Sequence, residues 1–281
     1  VRVEKWPSMT EDRLVGAVEF YSQLAEGYDR DFDVLHRKAY DDLAWQAVEE
    51  LLPDRPGTIV DVGCGTGRWA ERLVAAGHRV VGIEPAPAMA DEAARRGLGD
   101  AFVLVGADVD NAGLAAGGRH HGLLPDGADI VLAMGSVQYA PDPSTSIRTM
   151  ASWLRPGGSL AMLCDSLCGL VLELLGRGDP AQAVERALSR TGRWTRGGLI
   201  VEHHLLDAGS LRRAYEDAGL TAVEVRGLLV AAAAVGHARF YAELDEEWEA
   251  TLDRERTLSR VEALAESGKQ LLAIGRRPAW S

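Results

Sequence analysis

The chain has 281 residues, 47% of them hydrophobic and 26% charged, with 42 acidic against 30 basic side chains and a net charge of −12. That mix is globular and long enough to bury a full core, so it excludes wholesale disorder, and the acidic balance argues against a dedicated nucleic-acid binder, which needs a basic stripe to neutralise phosphates. Cys64, Cys164 and Cys168 form no disulfide framework, no apolar run reaches membrane-spanning length, and Glu4, Lys5, Glu11 and Asp12 precede any apolar segment, so a soluble, reduced, cytoplasmic protein without a signal peptide is expected.

Taken in chain order, residues 1–54 read as an N-terminal helical cap, with apolar residues at three- and four-residue spacing over 15–24 and 40–52 and a stop at Pro53-Asp54-Arg55-Pro56-Gly57. From residue 58 the pattern changes. Short β-rich runs at 58–62, 79–83, 101–105, 128–133 and 159–164 alternate with helical segments at 69–76, 89–96 and 147–154. This rhythm predicts βαβ units, and strands so continuously apolar belong in a parallel sheet covered on both faces. Residues 165–205 interrupt it and read as a helical lid insertion, with a helix over 167–175 and Trp194 among arginines and glycines. A helix at 210–218, a strand at 221–225, a charged helical region over about 238–267 and a strand at 270–274 complete one domain spanning 1–281.

The sharpest local feature is Val60-Asp61-Val62-Gly63-Cys64-Gly65-Thr66-Gly67, set between the first β-rich run and the following helix. Glycines there let the backbone turn tightly and approach a ligand, and the helix start offers free N–H groups. In open α/β sheets cofactors bind at this edge. Glu84 ends the next strand and is placed to accept both hydroxyls of a ribose. A dinucleotide and S-adenosylmethionine both fit so far. The glycines run G-x-G-x-G, however, and Arg68 stands where a dinucleotide fingerprint needs its third glycine. Asp108, after the third strand, lies beside the same crevice and can accept a hydrogen bond from an adenine amino group.

Together VDVGCGTG, Glu84, Gly106-Ala107-Asp108, the fourth-strand segment DIVLAMGSV and Leu154-Arg155-Pro156-Gly157-Gly158 resemble the class I S-adenosylmethionine-dependent methyltransferases over about residues 20–164. The resemblance implies a doubly wound, mostly parallel seven-stranded α/β sheet with a last antiparallel strand. It further implies that Gly63, Gly65 and Gly67 flank the methionine part of the cofactor, that Glu84 holds the ribose, that Asp108 and Val109 meet the adenine, and that Met134 or Gly135 lies near the sulfonium. Cys64, Pro85 and Met89 are taken as cofactor contacts in the same crevice. The leader Phe20-Tyr21-x-x-Leu24-Ala25-x-x-Tyr28-Asp29 is similar to one in many small methyltransferases where a tyrosine covers the cofactor, which implicates Tyr21 and Tyr28. Arg37 is placed like an arginine that grips the cofactor carboxylate in the bacterial tRNA 5-carboxymethoxyuridine methyltransferase family, to which the downstream region is loosely similar; the guanidinium fork suits that anion.

Methyl transfer is a displacement at a methyl on cationic sulfur, so the protein must align a nucleophile, exclude water and, for a hydroxyl acceptor, take a proton. His203, His204, His237, His120, His121 and Asp165 are the candidate bases, with the pair His203-His204 preferred because it follows the lid. Tyr139, just past the fourth strand, is placed to touch the methyl or the acceptor. No metal site is expected. The favoured acceptor is a small organic molecule, O-methylated in a biosynthetic pathway. A tRNA nucleoside is the second reading, and a non-methylating reaction such as a cyclisation is the third. The tRNA reading depends on one arginine cluster, Arg186, Arg190, Arg193, Arg196, Arg212 and Arg213. No membrane partner is expected, nucleic acid is disfavoured, and the oligomeric state is not encoded in any motif.

Overall fold

The computed structural model describes residues 13–279. In chain order the elements are β1 (Arg13–Val15), α1 (Ala17–Leu24), α2 (Leu35–Glu49), β2 (Thr58–Val62), α3 (Arg68–Ala75), β3 (Arg79–Ile83), α4 (Pro87–Arg95), β4 (Phe102–Val105), β5 (Ala128–Met134), α5 (Pro143–Trp153), β6 (Leu154–Asp165), α6 (Leu167–Gly176), α7 (Pro180–Ser189), β7 (Thr191–Arg196), β8 (Leu199–His204), α8 (Ala208–Asp217), β9 (Thr221–Leu228), α9 (Val230–Val235), α10 (His237–Glu246), α11 (Trp248–Ser259) and β10 (Gln270–Arg276).

Among the described residues these strands form two sheets. The larger has seven strands in the order β4-β3-β2-β5-β6-β10-β9. β2 to β6 pair in parallel, while β10 runs antiparallel to both β6 and β9. The strand order reverses between β2 and β5, so the carboxyl ends of those strands open a crevice there, as doubly wound sheets require. Alternating side chains feed two cores. From β6, Leu160, Met162 and Cys164 join α5 and α8 on one face, while Ala161 and Leu163 join α2 and α3 on the other. β10 divides in the same way, with Leu271 and Ala273 on the first face and Leu272 and Ile274 on the second.

The smaller sheet has the order β1-β8-β7. Its register joins Arg13–Val15 to residues 199–201 in parallel, and β7 and β8 form an antiparallel hairpin that pairs Arg196 with Leu199. The segment read as a lid, 165–205, holds α6, α7 and this hairpin, where the sequence reading placed only a helix over 167–175. The loop Gly197-Gly198 explains the hairpin: both residues have positive φ (57° and 76°), the backbone that a two-residue hairpin turn demands. The N-terminal region differs as well. The apolar run expected as a helix over 15–24 starts as β1, because Gly16 breaks it, and only Ala17–Leu24 is helical. The remainder of the expected cap, residues 1–12, lies outside the described residues. The charged region over 238–267 is two helices and a 3-10 segment, interrupted at Glu247, which has an extended φ of −138°.

Leu272 is fully buried at the centre of β10, between β6 and β9. Leu272→Ala is expected to lower stability by about 2–5 kcal/mol through the cavity it leaves. Urea unfolding should show this as a lower midpoint with an unchanged slope.

Candidate functional site

β2 leaves the sheet at Val62 and turns into α3 through Gly63, Gly65 and Gly67, all with positive φ (67°, 55° and 81°). The turn is pinned from below by the Gly63 and Cys64 N–H groups, which donate to Ile83 O at 2.7 and 3.1 Å. A Cβ on Gly63 would lie 2.2 Å from Ser136 Cβ, so side-chain substitution there collides with the loop after β5. By contrast, a Cβ on Gly65 or Gly135 would meet nothing within 4 Å, and both glycines present bare backbone to open space.

That space is two cavities. One, of about 480 Å³, runs from Gly63 and Gly65 past Glu84, Pro85 and Met89 to Asp108 and Val109. The other, of about 390 Å³, runs from the same glycines past Cys64 to Arg37, Tyr40, Asp165, Trp194 and Gln270. They share a wall of Gly63, Gly65, Met134 and Gly135, covered by Tyr21, Tyr28 and Tyr139. The Tyr21 hydroxyl donates to the Tyr139 hydroxyl at 2.8 Å, and the Tyr21 ring meets Tyr28 and Tyr139 edge-on. Burial raises the pKa of both Tyr21 and Tyr139, so these are neutral hydrogen-bonding groups.

In the first cavity Glu84 is buried, with Oε2 accepting the Gly65 N–H and Oε1 the Ala86 N–H, each at 2.8 Å. Burial pushes its carboxyl up, and the two backbone donors partly offset that. They fix the carboxylate at the strand end with lone pairs to spare for a diol. Asp108 is held by Asn111, whose backbone and side-chain nitrogens donate to it at 2.9–3.0 Å. Beneath the glycine loop Asp61 is buried, with Oδ2 lacking a partner; burial, with Glu84 nearby, pushes its pKa up to about 7.

The comparisons with known proteins agree with this geometry. A family model described as "Methyltransferase domain" matches residues 35–225. The chain belongs to the class I S-adenosylmethionine-dependent methyltransferases. It is 27% identical over 217 residues to a ubiquinone biosynthesis O-methyltransferase from Burkholderia pseudomallei (strain 1710b), covering 74% of this chain and 84% of the relative. It is 28% identical over 127 residues to a tRNA U34 carboxymethyltransferase from Desulfotalea psychrophila, covering 44% and 38%. Among solved structures, an S-adenosylmethionine-dependent methyltransferase from Mesorhizobium loti superimposes with a TM-score of 0.54 at 20% identity, covering 84% of this chain and 98% of that one. The cofactor of this methyltransferase is S-adenosylmethionine, and the bare faces of Gly65 and Gly135, with Glu84 at the strand end, fit it.

Of the cofactor residues read from the sequence, Tyr21, Tyr28, Gly63, Gly65, Glu84, Pro85, Met89, Asp108, Val109, Met134, Gly135 and Tyr139 line the first cavity, and Cys64 and Arg37 line the second. Gly67 lines neither. It starts α3, where a Cβ would crowd Arg96 and Ala93 at 3.2–3.3 Å. The two histidines separate, because neighbours on a strand face opposite ways. His204 is exposed and lines neither cavity, which removes it from the site. His203 points inward but is buried behind Asp165, its Nε2 3.0 Å from Oδ2, so it reaches the second cavity only through that carboxylate. The side chain of His237 lies outside the described residues. Gln138 escaped the sequence reading altogether: its Oε1 accepts the Asp165 N–H at 2.7 Å, and no motif marks it.

Two outcomes follow. Glu84→Ala should weaken S-adenosylhomocysteine binding roughly 10–100-fold in calorimetry, as expected for losing a charge-assisted hydrogen bond, and the circular dichroism spectrum should be unchanged. Asp61 keeps its proton in the folded chain up to about pH 7, whereas the unfolded chain releases it near about pH 4. Stability of the free protein should therefore fall as pH rises from about 5 to about 7, by up to about 1.4 kcal/mol per unit from this group. Asp61→Asn should flatten that slope in unfolding experiments across the same range.

Proposed function

We infer that this methyltransferase O-methylates a small organic molecule that carries a hydroxyl and an aromatic or apolar body. The observation that carries this reading is the shared wall: the two cavities meet at Gly63, Gly65, Met134 and Gly135, where the methyl-bearing end of a cofactor lying across them would face a molecule in the second. Bound S-adenosylmethionine supplies a methyl already activated on cationic sulfur. The chain's part is to hold and align. Glu84 would take the ribose hydroxyls, and Asp108, steadied by Asn111, would take the adenine end. Arg37, whose guanidinium lies 5.8 Å over the Trp194 ring, would meet the methionine carboxylate. The tyrosine cover of Tyr21, Tyr28 and Tyr139 excludes water from the junction, and such positioning can contribute on the order of 7–11 kcal/mol in favourable cases.

The second cavity supports a small acceptor. Tyr28, Tyr40 and Trp194 give it aromatic walls. Similarity to the ubiquinone biosynthesis O-methyltransferase favours a hydroxyl as the methylated group. A polymeric RNA is disfavoured by the state of the arginine cluster. Arg186 is buried, while Arg190, Arg193 and Arg212 pair with Asp207, Glu202 and Glu262.

The test incubates the protein with S-adenosylmethionine and a pool of catechols and phenols, following S-adenosylhomocysteine by mass spectrometry, beside calorimetry with S-adenosylhomocysteine and NAD. Formation that depends on a pool member, with no NAD binding, is the expected result. Binding of S-adenosylhomocysteine without its formation from any hydroxyl acceptor would overturn O-methylation.

A further inference from the structure

Asp165 ends β6, two residues beyond Leu163, whose carbonyl accepts the Gly135 N–H at 2.9 Å. The carboxylate thus stands in the second cavity beside the wall shared with the first. Three donors converge on its Oδ2: His203 Nε2 at 3.0 Å, Gln138 Nε2 at 3.3 Å and Trp194 Nε1 at 3.4 Å. They arrive from β8, from the 3-10 turn after β5 and from β7, so three segments fix one oxygen. Among the described residues all three of these donors meet Oδ2, which leaves Oδ1 for a ligand.

The imidazole behind it is built in as tightly. The His203 side chain is 3% exposed. Its Nδ1 is buried without a partner among the described residues, so Nε2 is the nitrogen that engages Asp165. β7 lies flat on the ring: a Cβ on Gly192 would stand 2.3 Å from Nε2. Burial alone would raise the pKa of Asp165, but the hydrogen bonds from His203, Trp194 and Gln138 outweigh it, and the carboxyl lies below its ordinary range. A carboxylate held ionised, with one oxygen fixed by three donors, presents the other to a group bound in the cavity.

We propose that Asp165 is the proton acceptor of the methyl transfer, receiving the hydroxyl proton of the bound acceptor on Oδ1, and that His203 is a positioning residue that orients it. This rests on the methyl-transfer reading above. As the acceptor oxygen forms its bond to the methyl carbon, its proton passes to the Asp165 carboxylate. The methyl–sulfur bond breaks with its electron pair staying on sulfur, which cancels the positive charge there. The neutral Asp165 then returns its proton to solvent when the cavity opens.

The acceptor need not be known to test this. Sinefungin carries an amine where the cofactor carries its methyl, so its ammonium is aimed at whatever faces the transferred group, and S-adenosylhomocysteine lacks it. Calorimetry on the whole chain gives the ratio of the two affinities. Asp165→Asn is expected to reduce sinefungin affinity about tenfold or more relative to S-adenosylhomocysteine, whose own affinity should hold within about twofold. His203→Leu should lower the ratio, and His203→Gln, whose amide can donate from the same side, should restore most of it; a merely structural role would not discriminate between the two ligands. An unchanged ratio in Asp165→Asn, with S-adenosylhomocysteine still bound, overturns the proposal and leaves the cofactor reading intact. Failure of the parent to bind either ligand overturns the cofactor reading itself, and the proposal with it. If Asp165→Asn shows no cooperative thermal transition, the two His203 variants decide, and equal ratios in them overturn the proposal.

Discussion

Everything at the site depends on a backbone that turns back on itself between β2 and α3 while passing through the left-handed region three times. Side chains at Gly63, Gly65 and Gly67 would each have to adopt a positive φ, and at Gly63 a Cβ would also enter Ser136. Because the turn is made of glycine, β5 and its loop approach closely: the Ser136 hydroxyl donates to Val62 O at 2.5 Å. That contact brings Met134 and Gly135 against the glycine loop and creates the wall where the two cavities meet. Glu84 extends the same logic, since its carboxylate binds the Gly65 N–H and joins the ends of β2 and β3 before any ligand arrives.

The unpaired oxygen of Asp61 shows what this arrangement costs. A carboxyl buried under the loop with no donor for Oδ2 is a destabilising element, and the same burial pushes its pKa up. Folded proteins retain such groups where local stability is subordinate to a site. Here the compensation comes from the two hydrophobic cores on either face of the sheet, to which Val60 and Ile59, the residues just before Asp61, each contribute.

The sheet was legible in the sequence because its central strands are almost wholly buried, and apolar runs such as residues 130–134 leave little ambiguity. The cofactor crevice was legible for a related reason: a positive φ and a close backbone approach leave a glycine signature, and a strand-end acid leaves a single carboxylate at a fixed spacing. The lid was not. β7 and β8 pack only one face and carry Arg193, Glu202 and His204 on the other, so their alternation is short and mixed with charge. The Gly197-Gly198 pair was the available signal for a hairpin. Choosing between His203 and His204 was a matter of strand parity, which cannot be read until the strand itself is recognised. Asp165 could be named as a candidate, but its importance comes from Gln138, Trp194 and His203, whose meeting at one oxygen depends on tertiary packing.

The three-residue β1 couples the walls of the two cavities. It joins β8, which carries His203, to α1, which carries Tyr21, so the tyrosine over the shared wall and the imidazole behind the second cavity belong to one small structural unit. That unit is held by a satellite cluster of Val15, Phe20 and Val201, separate from the two cores of the main sheet. Tyr21 and Leu24 of α1 also pack on Ala86 and Met89, and Tyr139 joins the satellite cluster, so the same unit is anchored to both sides of the glycine turn. A change in the β1 ladder therefore bears on both cavities together.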